Sequence, residues 1–192
     1  TESTVLGPFH MVESPPLRNG ADVAQHGTGE PLVVTGQVVS IDGTPLVGAK
    51  VDIWQANEEG FYDVQKPGEL PDLNLRGLFT TEEDGRYWFR SITPSFYPIP
   101  TDGPVGEYVT ASGRHPNRPA HIHFIGMAEG HEPVVTHLFV EGDPWIESDV
   151  VFGVKETLVR DFDLIDDPAK AAEYGVSNPF RHVHNVITLA PV

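Results

Sequence analysis

Arg114-His115-Pro116-Asn117-Arg118-Pro119-Ala120-His121-Ile122-His123-Phe124 is the stretch from which the rest of the chain can be read. Ala120 to Phe124 has the pattern of a β-strand, in which side chains alternate faces with a period of two. That period puts His121 and His123 on one face and Ile122 and Phe124 on the other. Two imidazoles so spaced reach a common point and can bind one metal ion. Arg118 and Pro119 lead into the strand: the guanidinium can hold an anion beside the metal, and the proline fixes the entry backbone. Taken alone the His-x-His pair is ambiguous, because histidine is both a common metal ligand and a common half-buried strand residue.

Working outward, composition narrows the choice. The chain has 192 residues, enough for one domain with a real core. Hydrophobic residues make up 39%, and no apolar run approaches the ~20 residues a membrane helix needs. No signal-peptide pattern opens the sequence. Cysteine is absent, which removes disulfides, thiolate catalysis and zinc-thiolate sites together and fits a cytoplasmic protein. A formal charge of −16 makes a poor nucleic-acid binder, which needs a basic footprint. Gly 19 and Pro 18 imply many turns and few long helices, hence a mainly β protein: a β-sandwich with long functional loops and one or two short helices.

The order of elements follows from periodicity and turn signals. Residues 1–31 read as an irregular segment that packs on the rest through Thr4-Val5-Leu6-Gly7-Pro8-Phe9. Leu32–Ile41 and Leu46–Trp54 alternate as strands around Asp42-Gly43, predicting a hairpin. Residues 55–77 form a connection long enough to be functional. Leu78–Thr81, Arg86–Ile92, Val134–Val140 and His184–Leu189 read as further strands, with a second long loop over 93–113. A short helix is expected within 145–164. Another is expected over Pro168–Tyr174, with Asp167 as N-cap, Pro168 at N1 and Gly175 as the stop. No repeat or domain boundary interrupts residues 1–192, so a single domain is expected.

Two tyrosines lie in those long loops: Tyr62 in Asn57-Glu58-Glu59-Gly60-Phe61-Tyr62-Asp63, and Tyr97 in Ser95-Phe96-Tyr97-Pro98-Ile99-Pro100. Singly, each reads as a core or loop anchor. Together with the histidine pair they form a different pattern, since loops held by rigid strands are where sites are built.

At this point the sequence resembles the intradiol ring-cleavage dioxygenases, over nearly its whole length. The motifs that carry the resemblance are the tyrosine after Asn57-x-x-Gly60, Tyr97-Pro98-x-Pro100 with Gly103-Pro104, and Gly113-Arg114-His115…Arg118-Pro119-Ala120-His121-x-His123-Phe124. Val51-Asp52-Ile53-Trp54-Gln55-Ala56-Asn57, Thr136-His137-Leu138-Phe139 and Val151-Phe152-Gly153-Val154-Lys155 make it most similar to the hydroxyquinol 1,2-dioxygenase branch. The resemblance implies one Fe(III) per chain held by Tyr62, Tyr97, His121 and His123. It also implies a catechol-type diol and O2 as substrates, with hydroxyquinol favoured over catechol or a chlorinated catechol. Tyr97 would accept a substrate proton, and Arg118 would stabilise negative charge developing on the ring. Val5, Leu6, Gly7, Pro8, Ile99, Pro100, Arg118 and Val151 would line the substrate pocket. Two phenolates are hard donors that suit Fe(III) better than Zn(II) or Cu(I).

His137 stands where plain catechol enzymes usually carry glutamine, and is read as a catalytic neighbour of His123 or the substrate. His115 reads as structural, and His182-x-His184 as an ordinary strand pair without flanking tyrosines. Family members usually carry an N-terminal helical domain that forms a dimer interface. The chain matches the catalytic domain without it, which would weaken or remove a homodimer. Two other readings compete. One is a non-catalytic β-sandwich binding module, suggested by Gly36-Gln37-Val38…Asp42-Gly43 and Asp84-Gly85-x-Tyr87. The other is a zinc or copper enzyme using His121, His123 and His137, which leaves both tyrosines unexplained.

Overall fold

A computed structural model describes residues 1–192 except Glu13, Gln25 and Gly27, which fall in the segment read as irregular. Two sheets face one another. The first has four strands in the order β10 (Asp163–Ile165), β11 (Phe180–Leu189), β1 (Pro31–Ser40) and β4 (Arg86–Ile92). The second has five, in the order β3 (Arg76–Thr80), β2 (Lys50–Gln55), β7 (His121–Met127), β8 (Val134–Val140) and β9 (Val159–Arg160). A two-stranded ribbon, β5 (Tyr97–Pro98) with β6 (Asn117–Arg118), stands apart from both. The predicted β-sandwich is the architecture found.

Alternation builds the core. Val34 and Val38 of β1, Phe89 of β4, and Val183 and Ile187 of β11 point inward from one sheet. Val51 and Ile53 of β2, Ile122 and Phe124 of β7, and Leu138 of β8 meet them from the other. Each such fully buried side chain contributes about 1.5–3 kcal/mol. The outer face of the five-stranded sheet departs from the usual alternation. β7 is buried on both faces over His121–Phe124 and only half-buried at Ile125 and Met127. The loops cover the sheet where the histidines stand and leave it beyond them.

The sequence reading needs three corrections. β1 and β2 are not a hairpin: β1 pairs parallel with β11 and antiparallel with β4, while β2 lies in the other sheet between β3 and β7. Strands that face each other across a core show the same period of two as strands that pair edge to edge, so periodicity alone cannot separate them. Residues 145–164 hold no α-helix but two 3-10 turns, Ile146–Ser148 and Glu156–Leu158, followed by short strands. The loop over 93–113 does contain one, α1 (Pro104–Ala111), with Pro104 in its first turn. The second helix, α2 (Pro168–Tyr174), is capped as expected by the Asp167 carboxylate, which accepts from the Ala169 and Lys170 N–H groups, and stopped by Gly175 at φ 68°. Among the described residues no helix is long and apolar enough to cross a membrane.

Candidate metal centre

One cross-strand row on the outer face of the five-stranded sheet organises the site. Register places Arg76 of β3 beside Trp54 of β2, Trp54 beside His123 of β7, and His123 beside His137 of β8. All four are 0–1% exposed. The Trp54 indole stacks on the His123 ring at 4.5 Å between centroids and 11° between planes. His121, two residues earlier on β7, stands on the same face, as the strand period required.

The tyrosines arrive from the loops. Tyr62 is held by its backbone, whose N–H donates to Gln65 Oε1 at 2.9 Å, and by Phe9, which stacks on its ring at 4.7 Å. Asn57 Oδ1 accepts from the N–H groups of Glu59 and Phe61, which curls the chain back toward the sheet. Gly60, at φ +83°, lies against Tyr97: a Cβ there would stand 2.9 Å from the Tyr97 Cβ. The glycine in Asn57-x-x-Gly60 therefore lets the loop that carries Tyr62 close onto the one that carries Tyr97. Tyr97 in turn is the cross-strand partner of Arg118 in the β5–β6 ribbon.

Four donor atoms converge. Tyr62 Oη is 3.2 Å from Tyr97 Oη and 3.1 Å from His123 Nε2, and His123 Nε2 is 3.1 Å from His121 Nε2. All four residues are at most 3% exposed. His121 Nδ1 lies 2.6 Å from the Pro119 carbonyl oxygen, which can only accept, so Nδ1 carries the proton and Nε2 presents its lone pair to the cluster. A backbone partner of this kind fixes the tautomer of a metal-binding imidazole. The set fits a small cation: two oxygens and two nitrogens, all buried, with a lone pair aimed inward and spacings short enough to share one ion.

Electrostatics agree with that fit. Burial pushes the Tyr62 phenol well above its usual 10.0, with Tyr97 adding to the effect and Arg118 and Arg76 opposing it, so ionising it needs a further positive charge. Burial, then Arg118 and His137, hold His121 well below 6.5, while burial and the neighbouring imidazoles do the same for His123. Both stay neutral, the form that ligates.

Arg118 is buried beside this cluster. Its Nη1 lies 3.1 Å from His121 Nε2, at the edge of the cluster, and its Nε and Nη2 face the Asp149 carboxylate at 3.2 and 3.4 Å. Asp149 also accepts from the Gly153 N–H at 2.9 Å. A Cβ on Gly153 would crowd both Arg118 Nη2 and Asp149 Oδ2, at 3.1 and 3.2 Å. His137 Nε2 lies 2.7 Å from His123 Nδ1, and its own Nδ1 is buried without a partner. His121, His123 and His137 offer nitrogens within 4.8 Å of one another, but the His137 Nε2 contact is taken up with the far side of the His123 ring.

The residues predicted to line a pocket take different positions. Gly7, at φ +77°, sits over His123, where a Cβ would stand 3.2 Å from the ring. Val5, Leu6, Pro8 and Pro100 are exposed, and Ile99 and Val151 half-buried. The N-terminal segment is tied across the sheet by Thr4 N–H to Val135 O at 2.9 Å and Thr4 Oγ1 to Gly153 O at 2.8 Å. A cavity of about 830 Å³ is lined by Glu141, Asp143, Glu147, Asp149 and Phe152 among others, and by none of the four donors. His115 packs on Trp145 at 4.4 Å and pairs with Ser148. His182 and His184 share the hydroxyl of Thr35, on the other sheet. Sequence reasoning missed Trp54, Asp149 and the Asp63–Arg76 pair. Strand parity signalled Trp54. Nothing local signals Asp149, which meets Arg118 across 31 residues.

Comparison with known proteins identifies the family. A sequence model of a family described as Dioxygenase matches residues 7–180. The chain is 56% identical to a hydroxyquinol 1,2-dioxygenase of Rhizobium sp. (strain MTP-10005) over 178 residues, 93% of this chain and 60% of that protein. Its structure is similar to that of hydroxyquinol 1,2-dioxygenase from Pseudomonas putida DLL-E4, with a TM-score of 0.90 and 38% identity over 100% of this chain and 67% of that one. It is similar also to a catechol 1,2-dioxygenase from Acinetobacter sp. ADP1 inhibited by bound mercury, with a TM-score of 0.93 and 35% identity over 99% and 62%. The chain belongs to the intradiol ring-cleavage dioxygenase family. It spans about 60% of the length of the Rhizobium relative.

Proposed function

We propose that this chain is the catalytic part of an Fe(III)-dependent intradiol dioxygenase. It would insert both atoms of O2 into hydroxyquinol (benzene-1,2,4-triol), giving 3-hydroxy-cis,cis-muconate and its tautomer maleylacetate. The observation that carries the reading is the buried meeting of two phenol oxygens and two imidazole nitrogens at 3.1–3.2 Å spacings. Tyr62, Tyr97, His121 and His123 would hold the ion. Held by these residues, a ferric ion would supply the Lewis acidity that makes a bound diol reactive toward O2.

The chain's own residues supply the rest. Tyr97 Oη, as the phenolate it would become beside the ion, takes a proton from a diol hydroxyl, acting as a general base. The Arg118 guanidinium, fixed by Asp149, stabilises negative charge as it develops on the ring. His137 orients the His123 ring through Nδ1. The ring carbon–carbon bond is the one broken and both oxygen atoms end in the product, so no external reductant is needed. The higher identity to a relative named for hydroxyquinol than to one named for catechol supports the choice of substrate.

The test is turnover of the iron-loaded protein with 18O2, offered hydroxyquinol, catechol and a chlorocatechol. The reading expects one O2 consumed per diol, both labelled atoms retained in the ring-opened acid, and the highest kcat/KM for hydroxyquinol. A higher value for catechol would transfer the assignment to catechol. No consumption of any diol would remove the enzymatic reading and leave a binding module.

A further inference from the structure

A second buried ion pair, distinct from Arg118 and Asp149, stands in the row of the sheet that carries His123, and nothing in the proposed chemistry uses it. Asp63 follows Tyr62 directly and opens the 3-10 turn Asp63–Gln65. Arg76 reaches it from β3: Nε lies 3.0 Å from both carboxylate oxygens, and Nη2 also donates to Oδ1. The same carboxylate accepts the Leu73 N–H at 2.9 Å, so it ties the two ends of the loop to one point. Arg76 is 1% exposed and Asp63 8%.

As an anchor for stability this is a poor device. Taking two charges out of water is costly, and well-packed apolar residues of similar volume often serve as well or better. Arg76 Nη1 is buried with no partner, a further cost. What a bidentate fork supplies and an apolar contact does not is direction. Here the direction matters at both ends. Arg76 belongs to the row that contains Trp54 and His123, and Asp63 is one peptide bond from Tyr62.

We infer that the Asp63–Arg76 pair is a positioning device for Tyr62, fixing where its oxygen stands relative to the imidazoles of His121 and His123. The pair registers the tyrosine loop against the same row of the sheet that carries His123. Phe9, stacked on the ring, and Gln65, holding the Tyr62 N–H, restrict the remaining freedom. The inference rests on Tyr62 being an iron ligand, as proposed above.

The test compares the iron-loaded chain with Asp63→Asn/Arg76→Gln, which removes both charges together and so avoids stranding one of them. Three quantities are read: the melting temperature of the metal-free protein, iron affinity by chelator competition, and the position of the visible phenolate-to-iron band. The inference expects a folded double variant whose iron affinity falls by tenfold or more and whose band shifts. The shift persists in a Tyr97→Phe background, where Tyr62 is the phenolate that remains. A lower melting temperature with unchanged affinity and band would make the pair structural and overturn the inference. Should the double variant fail to fold, Arg76→Lys, which keeps the charge but not the fork, carries the same comparison and is expected to shift the band less. If the unaltered protein shows no band on ferric loading, the iron reading itself fails, a result distinct from a coloured protein indifferent to the substitutions.

Discussion

His137 Nε2 stands 2.7 Å from His123 Nδ1, on neighbouring positions of one row of the sheet. With His123 Nε2 turned to the donor cluster, its Nδ1–H donates to His137. His137→Leu would leave that N–H buried and unpaired, at a cost of about 1–3 kcal/mol. Iron affinity is expected to drop by about 10–100-fold. His137→Gln offers an amide oxygen to the same N–H and is expected to recover much of the loss. Chelator competition on both variants checks this. Equal affinity in the leucine variant and the unaltered protein would show that His137 does not orient the ligand.

Tyr97→Phe is expected to keep iron but slow turnover by about 10²–10⁴-fold, the range for losing a positioned acid–base group. Tyr62→Phe is expected to lose most of the iron, because Tyr62 is fixed between Phe9 and His123 with its oxygen 3.1 Å from His123 Nε2. Metal analysis and steady-state kinetics separate the two. Full activity of Tyr97→Phe at normal iron content would take Tyr97 out of the mechanism.

Asp149→Ala removes one half of a buried pair whose members are 2–4% exposed at the side chain. It should cost about 3–5 kcal/mol of stability, since Arg118 is left charged and unpaired. It should also lower kcat, because Arg118 loses its fixed direction. Arg118→Lys keeps charge but not the planar fork and is expected to lose activity as well. Thermal melting and kcat measured together check this. A stable Asp149→Ala enzyme with unchanged kcat would contradict it.

The metal-free protein should weaken as pH falls below 6.5. Burial first, then Arg118 and neighbouring imidazoles, hold His121, His123 and His137 well below that value in the folded chain. Unfolding frees them to bind protons below 6.5, so the unfolded state holds more protons there. Their contribution is fully present above 6.5 and is lost as pH drops toward the folded values, at up to about 1.4 kcal/mol per histidine per pH unit. Urea unfolding at pH 7.5 and 5.5 measures the slope. A slope unaltered by His137→Phe would remove His137 from the account.

The sequence shows the sandwich, the capped helix α2 and the shared face of His121 and His123, because each rests on local periodicity or on one residue's backbone preference. It shows Tyr62 and Tyr97 only through motif resemblance, since their meeting depends on two loops closing around Gly60. Sheet membership of β1 and β2 is not legible in the sequence, because facing and pairing strands share one period. Asp149 and the Asp63–Arg76 pair were invisible for a related reason: a buried charge is defined by a partner brought from elsewhere in the chain.

The most direct measurement is the visible absorption spectrum of the ferric-loaded protein, taken before and after adding hydroxyquinol without oxygen. The account predicts a broad red-brown band from phenolate-bound Fe(III) that shifts when the diol binds. A protein that stays colourless after ferric loading would contradict the meeting of Tyr62, Tyr97, His121 and His123 on one iron.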